Sequence, residues 1–304
     1  MNGFLLRRFA QAPLVLLGVS LVVFLCLHLT GDPAALMLPP SASAQEIMDY
    51  RHAMGFDLPL WQQYLNYLNA LLHGNLGVSQ RYGQPVGKLI LERVPATVLL
   101  AVVSLAWSPV AGFALGIGSA VFKDRWTDLL LRLIALSGQA IPVFWLGLLL
   151  IILFSLDLHW LPTGGYGDAK HLVMPSIALG AYYMSAIARL VRASLIEALA
   201  SDYVRTARAK GLSSKRIVIR HALRNALIPV ITVQGMYFAS LLGGALVTEI
   251  LFAWPGIGRL AVQAIENRDF QLVQAIVLLS AVAFVVVNLI TDLLYVVLNP
   301  RIRL

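Results

Sequence analysis

Six stretches of this chain are apolar for long enough to cross a bilayer, which leaves it little freedom of fold. Hydrocarbon offers no partner to a backbone N–H or C=O, so a run of about 20 apolar residues crosses it as a helix that pairs its own backbone. The runs fall at roughly 9–29, 95–121, 129–156, 172–193, 226–252 and 273–298, the fourth diluted by Gly180, Tyr182, Tyr183 and Ser185. With 59% apolar and only 12% charged residues and a mean hydropathy of +0.78, an ordinary soluble domain is excluded. The reading is an all-α polytopic membrane protein, a single transmembrane domain over 1–304 with six helices.

Charge sets the orientation. Of the 23 Lys and Arg residues, sixteen lie on the side that holds the N-terminus, which places both termini in the cytoplasm. The net charge of +8 therefore reports topology and does not point to nucleic acid. The first run follows Arg7 and Arg8 but is longer than a signal core and has no small-x-small cleavage site, so it reads as a retained helix. Cys26 is the single cysteine, and no disulfide forms within the chain.

The outer-side segment 30–94 is organised. Ser43 and Glu46 fit a capping box, and Gly55 is placed to end that helix. Pro59 then opens a second helix with Trp61, Tyr64, Leu65, Leu68, Leu71 and Leu72 at helical spacing, ended by Gly74. That face is expected on the membrane surface or on the bundle.

Ionisable residues are nearly absent from the middles of the spans, so no proton relay is evident. Arg132, Arg189, Arg192 and Asp292 fall near inner ends, where long side chains snorkel. His28 reads as a packing residue. Ser104, Trp107, Ser108, Ser137, Gln139, Ser185, Gln234 and Ser240 are polar and mid-span, and two readings stay open: lining of a wet passage, or hydrogen bonds between helices. Pro109, Pro142 and Pro229 are expected to bend helices. There is no HExxH, CxxC, GxSxG or phosphate loop, so the chain reads as no enzyme, without a catalytic residue and without the usual ATP site. His159 and His171 flank a short outer loop with one acid, Asp168, too little to read as a metal site.

The loop 194–225 is an island of positive charge between two apolar runs. Ser201 is placed to cap a helix through Lys210 that Gly211 ends, and Ser213 a second helix. The expected result is a compact knob outside the membrane, displaying Arg205, Arg208, Lys210, Lys215, Arg216, Arg220 and Arg224. Such charge attracts anionic lipid. With Tyr203, Ala207 and Leu212 apolar, the knob also suits a groove on a cytoplasmic protein.

The pattern D-Y-V-R-T-A-R-A-K-G-L over 202–212, with H-A-L-R-N-A-L-I-P over 221–229, closely resembles the "EAA" loop of ABC importer permeases in its dipeptide, oligopeptide and nickel form. Further matches follow in order: L-R-R near the start, G-D-P at 31–33, G-N-L-G-x-S at 74–79, F-A-W-P-G-I-G-R at 252–259, R-D-F at 268–270 and N-P-R-I-R at 299–303. Arg205, Thr206 and Ala207 stand where the wider family has Glu-Ala-Ala, a deviation this branch shares.

The resemblance implies a second, similar permease, two cytoplasmic ATPase subunits that use ATP and Mg and grip the loop, and an outer solute-binding protein. The chain itself would bind no cofactor. By that resemblance Asp202, Tyr203, Arg205, Thr206, Ala207, Arg208, Lys210, Gly211 and Leu212 couple to the ATPase. Glu249, Trp254, Pro255, Gly256 and Gly258 belong to an outer gate or binding-protein contact, with a simple turn as the other reading. The function expected is the membrane subunit of an ATP-driven importer of peptides, a nickel chelate or a similar solute. A self-sufficient channel or secondary transporter is the alternative.

Overall fold

The computed structural model describes residues 2–29, 32–36, 38, 41–213, 216–223 and 245–298, with positions 230, 233, 237 and 241 between the last two blocks. Most of the fifth run, and with it Gln234, Ser240 and Pro229, lies outside the described residues, as do Gly31, Lys215, Arg224 and the N-P-R-I-R end.

Four described helices are long and apolar enough to span: Phe9–Cys26 within α1 (Asn2–Leu29), α5 (Val86–Val121), α8 (Ala169–Ala200) and Phe270–Thr291 within the last helix. The third run is not one straight helix. Trp126–Ala140 (α6) and Val143–Asp157 meet at a 107° bend, the second piece beginning as α7 (Val143–Leu150) and ending in a π-helical turn. Pro142 is the cause: it lacks an N–H and forces the residue before it out of helix, and Ile141 is extended at φ −89°, ψ 122°. Pro109 instead sits within the continuous α5.

α5 and α8 form the centre. They run side by side in the same direction, Trp107 beside Gly180, then Gly112 against Ile187, then Gly116 against Ala188 and Val191. The Trp107 indole donates to the Ser176 carbonyl at 3.1 Å. Ala96, Leu100, Ala101 and Leu105 of α5 bury against Leu179 and Tyr183 of α8 together with Leu241 and Trp254. α5 begins well before its apolar run because Val86, Leu89 and Ile90 have their own outer core with Leu260, Leu272 and Ile276.

At the inner end, α5, α6 and α8 meet at Asp128, which is fully buried. It accepts from Ser119 Oγ at 2.5 Å and from Arg192 Nη2 at 3.0 Å, and Arg132 Nε lies 3.2 Å away. Arg192, read as snorkelling to water, is turned into this pair instead, because an uncompensated buried carboxylate is far costlier than a paired one.

On the outer side, α2 (Pro33–Leu36), α3 (Ala44–Met54) and α4 (Leu60–Leu72) form a cap. Ser43 and Glu46 make the capping box, and Gly55 ends α3 in the left-handed region at φ 69°. Asp32 pairs with Arg51 at 2.5 Å, tying the start of α2 to α3. α4 lies on α1 through a face that the apolar stripe marks only at Tyr64. Gln63 is buried, its amide donating to the Phe56 and Leu58 carbonyls and its oxygen meeting His28 Nε2 at 2.9 Å. Tyr64 bonds Ser20 at 2.9 Å, while Trp61, Leu65 and Leu72 of the expected stripe face outward.

Candidate functional site

The knob is built from the end of α8. α9 (Asp202–Ala209) turns away there, and Ser201 occupies its N-cap position with extended backbone. The Ser201 hydroxyl does not cap α9, contrary to expectation. It donates backward to the Ala198 carbonyl at 2.5 Å, which also receives the Ser201 N–H at 3.2 Å in the closing turn of α8. Gly211 takes φ +77°, its N–H donating to the Arg208 carbonyl at 2.9 Å, and the Leu212 N–H reaches the Ala207 carbonyl at 3.2 Å. That left-handed close turns the chain back, so Ile217 buries against Val204 and Ala207, with Leu199 and Leu212 packed around them.

The knob therefore has its own small core, and two of the three residues read as an outward apolar patch serve it. Ala207 is buried and Leu212 half-buried, since three residues of spacing put Ala207 beneath Val204 on the inner face of α9. Tyr203 remains outside with Asp202, Arg205, Thr206, Arg208 and Lys210, all exposed. Asp202 stabilises the positive first turn and lies 3.6 Å from Arg205, and Thr206 Oγ1 bonds the Asp202 carbonyl at 3.0 Å. The charged residues thus form the outer face of a knob whose base is packed and closed by Gly211.

The second site is a buried carboxylate. After α10 (Leu246–Leu251) the chain turns through 252–256 into α11 (Ile257–Glu266), and Glu249 is fully buried beneath that turn. It accepts from Thr97 Oγ1 at 2.8 Å, from the Arg259 N–H at 3.0 Å and from the Gly258 N–H. Thr97 in turn accepts from the Ile257 N–H at 2.8 Å. Glu249 thus caps the N-terminus of α11 across a turn and satisfies donors that have no helical partner. Its carboxylate lies against the Cα of Gly256, where a β-carbon has no room.

Trp254 is also buried, its indole donating to the Ala96 carbonyl at 2.9 Å and its ring edge-on to Tyr166 at 4.8 Å. Gly165 donates to the Phe252 carbonyl at 2.7 Å. The residues singled out as gate or binding-protein contact are therefore turned inward: Glu249, Trp254, Gly256 and Gly258 are buried and Pro255 half-buried, with Ala253 exposed. They lock α10, α11 and the short outer loop onto α5.

A third junction joins two sequence motifs that the spacing leaves unconnected. Asp269, buried at the start of α12 (Phe270–Leu298), receives the hydroxyl of Ser79, the last residue of G-N-L-G-x-S, and the Leu272 N–H at 3.2 Å. The Val78 N–H meets Gln271 Oε1 at 2.9 Å.

Among the mid-span polar residues, Ser104 and Ser185 are buried and bond carbonyls of their own helices, Leu100 and Ala181. Ser137 is exposed and bonds the Ile134 carbonyl; Gln139 is half-buried. Of the outer histidines, His171 pairs with Asp168 at 2.8 Å and His159 turns to the Asp157 carbonyl.

The chain is thus a bundle of long apolar helices with a basic knob at one end and a cap of short helices at the other. Residues 112–304 match the family described as binding-protein-dependent transport system inner membrane component, and residues 1–101 match its N-terminal region. The glutathione transport system permease protein GsiC of Escherichia coli O6:H1 is 44% identical over 304 residues, covering 100% of this chain and 99% of that one. GsiC of Salmonella typhimurium is 43% identical over the same length and coverage. The MetNI methionine ABC transporter in an inward-facing conformation shares the fold at a TM-score of 0.58, covering 68% of this chain and 94% of that chain at 19% identity. The chain belongs to the binding-protein-dependent inner-membrane component family; it is an ABC importer permease of the dipeptide, oligopeptide and nickel type and a multi-pass inner-membrane protein.

Proposed function

We propose that this permease pairs with a second, similar permease around a passage, that two cytoplasmic ATPase subunits hold one knob each, and that an outer binding protein delivers a small peptide-like cargo. ATP and Mg act in the ATPase subunits, and this chain binds neither. The observation that carries the reading is the knob: a separate core of Val204, Ala207 and Ile217 holds α9 rigidly on the end of α8. Closure of the ATPase pair then moves the knob as a body and tilts α8 against α5, switching which side of the passage is open. Outer-side residues 252–259 support the other end of that motion by fixing α10 and α11 to α5 at Ala96 and Thr97.

The cargo reading rests on the relatives, whose names specify glutathione. A short peptide with an unblocked carboxylate is the class proposed, ahead of a nickel chelate. The test is reconstitution of the complex with its binding protein and ATPases in proteoliposomes, followed by uptake of labelled glutathione, a dipeptide and a nickel chelate in competition. ATP-dependent glutathione uptake, outcompeted by short peptides and not by nickel chelate, is expected. Preferred nickel uptake overturns the cargo, and flux without ATP overturns the mechanism.

A further inference from the structure

The three arginines at the inner end do not balance. A cleft of about 180 Å³ between α5, α6 and α8 is lined by Arg132, Arg189 and Arg192 beside Ser119. Asp128, beneath it, is the carboxylate that pairs with them among the described residues, and it serves both Arg192 at 3.0 Å and Arg132 at 3.2 Å. Asp124, the nearest other acid in sequence, turns to Lys123. Arg189 has no carboxylate partner among the described residues and is exposed, close to the inner end of the fourth apolar run. From there its guanidinium reaches the level of the inner-leaflet headgroups, where an anionic group is its natural counter-charge.

The remaining walls are apolar, with Leu115, Leu136 and Ala188 among them. On the adjoining face of α6, Leu133 and Leu136 are 54% and 45% exposed, as a surface in hydrocarbon is. A free anion gains nothing from such walls, whereas an anion carrying an acyl chain gains from both. We propose that this cleft holds the phosphate of an acidic phospholipid of the inner leaflet, its acyl chain lying along the α6 leucines. The inference rests on the reading that this end of the bundle faces the cytoplasm. It is the intramembrane equivalent of basic pockets that select anionic headgroups.

The test is native mass spectrometry of the purified complex exchanged into micelles with phosphatidylglycerol or phosphatidylcholine, with and without inorganic phosphate. Phosphatidylglycerol is expected to be retained preferentially. Arg189→Gln, which touches no ion pair, should weaken that retention roughly five-fold, and Arg189→Lys should restore part of it. Equal retention of the two lipids, no effect of Arg189→Gln, or displacement by inorganic phosphate overturns the proposal, the last by making the cleft a free-anion site. Gly211→Val should leave lipid retention unchanged, and the readout needs no ATP. A failure of the coupling mechanism is thereby distinguishable from a failure of the lipid site.

Discussion

Glu249 is the residue on which the outer half of the bundle turns. One side chain closes three gaps: the hydroxyl of Thr97 and two N–H groups at the start of α11. Removing it strands those donors in a buried site, at about 1–3 kcal/mol for each buried group left unpaired. Glu249→Ala should lower the melting temperature of the purified complex clearly, and Glu249→Gln, which keeps an acceptor oxygen, should lower it less. Equal melting of Glu249→Ala and wild type contradicts the capping role. In sequence the residue is only an acid near the end of an apolar run, since Thr97 stands 152 positions earlier. The same holds for Asp269 and Ser79, and for Asp128 and Arg192: each is a buried polar group whose partner lies far away along the chain, and no local spacing announces such pairs.

At the scale of elements, what local chemistry dictates was legible and what packing dictates was not. The capping box at Ser43, the left-handed ends at Gly55 and Gly211, and the break at Pro142 all follow from single-residue backbone preferences. The face by which α4 meets α1 followed only in part: Tyr64 of the expected stripe makes the contact, but with Gln63 and Tyr67 beside it, while Leu65 and Leu72 stay outside. The Ser201 hydroxyl likewise had two neighbouring helix ends to choose between and took the carbonyl side. The capping box carries a pH dependence. The Ser43 N–H, and then its hydroxyl, hold the Glu46 carboxyl below its ordinary value of 4.5. A carboxylate with a depressed folded value adds stability that is complete above 4.5 and lost as pH falls through the lower folded value. Amide exchange in the first turn of α3 should therefore lose protection below that pH, and Ser43→Ala should show the same loss at neutral pH. Protection unchanged by either contradicts the assignment.

For the whole molecule, the proposed lever follows a continuous line of contacts. The knob has its own core and is continuous with α8, α8 packs along the length of α5, and α5 is pinned on the outer side by Trp254 and Thr97. The composition alone shows a membrane protein, and the order of motifs shows the family, but the contacts the proposal uses appear only once α5 and α8 are seen to run together. The most direct test of the claim that the knob transmits ATPase motion is to measure ATP hydrolysis and cargo uptake in the same proteoliposomes for wild type and Gly211→Val. A β-branched residue at φ +77° is strained by about 1–3 kcal/mol, although open space surrounds the position. The account predicts that the variant complex assembles and hydrolyses ATP while uptake per ATP falls several-fold, whereas uptake per ATP equal to wild type would contradict it.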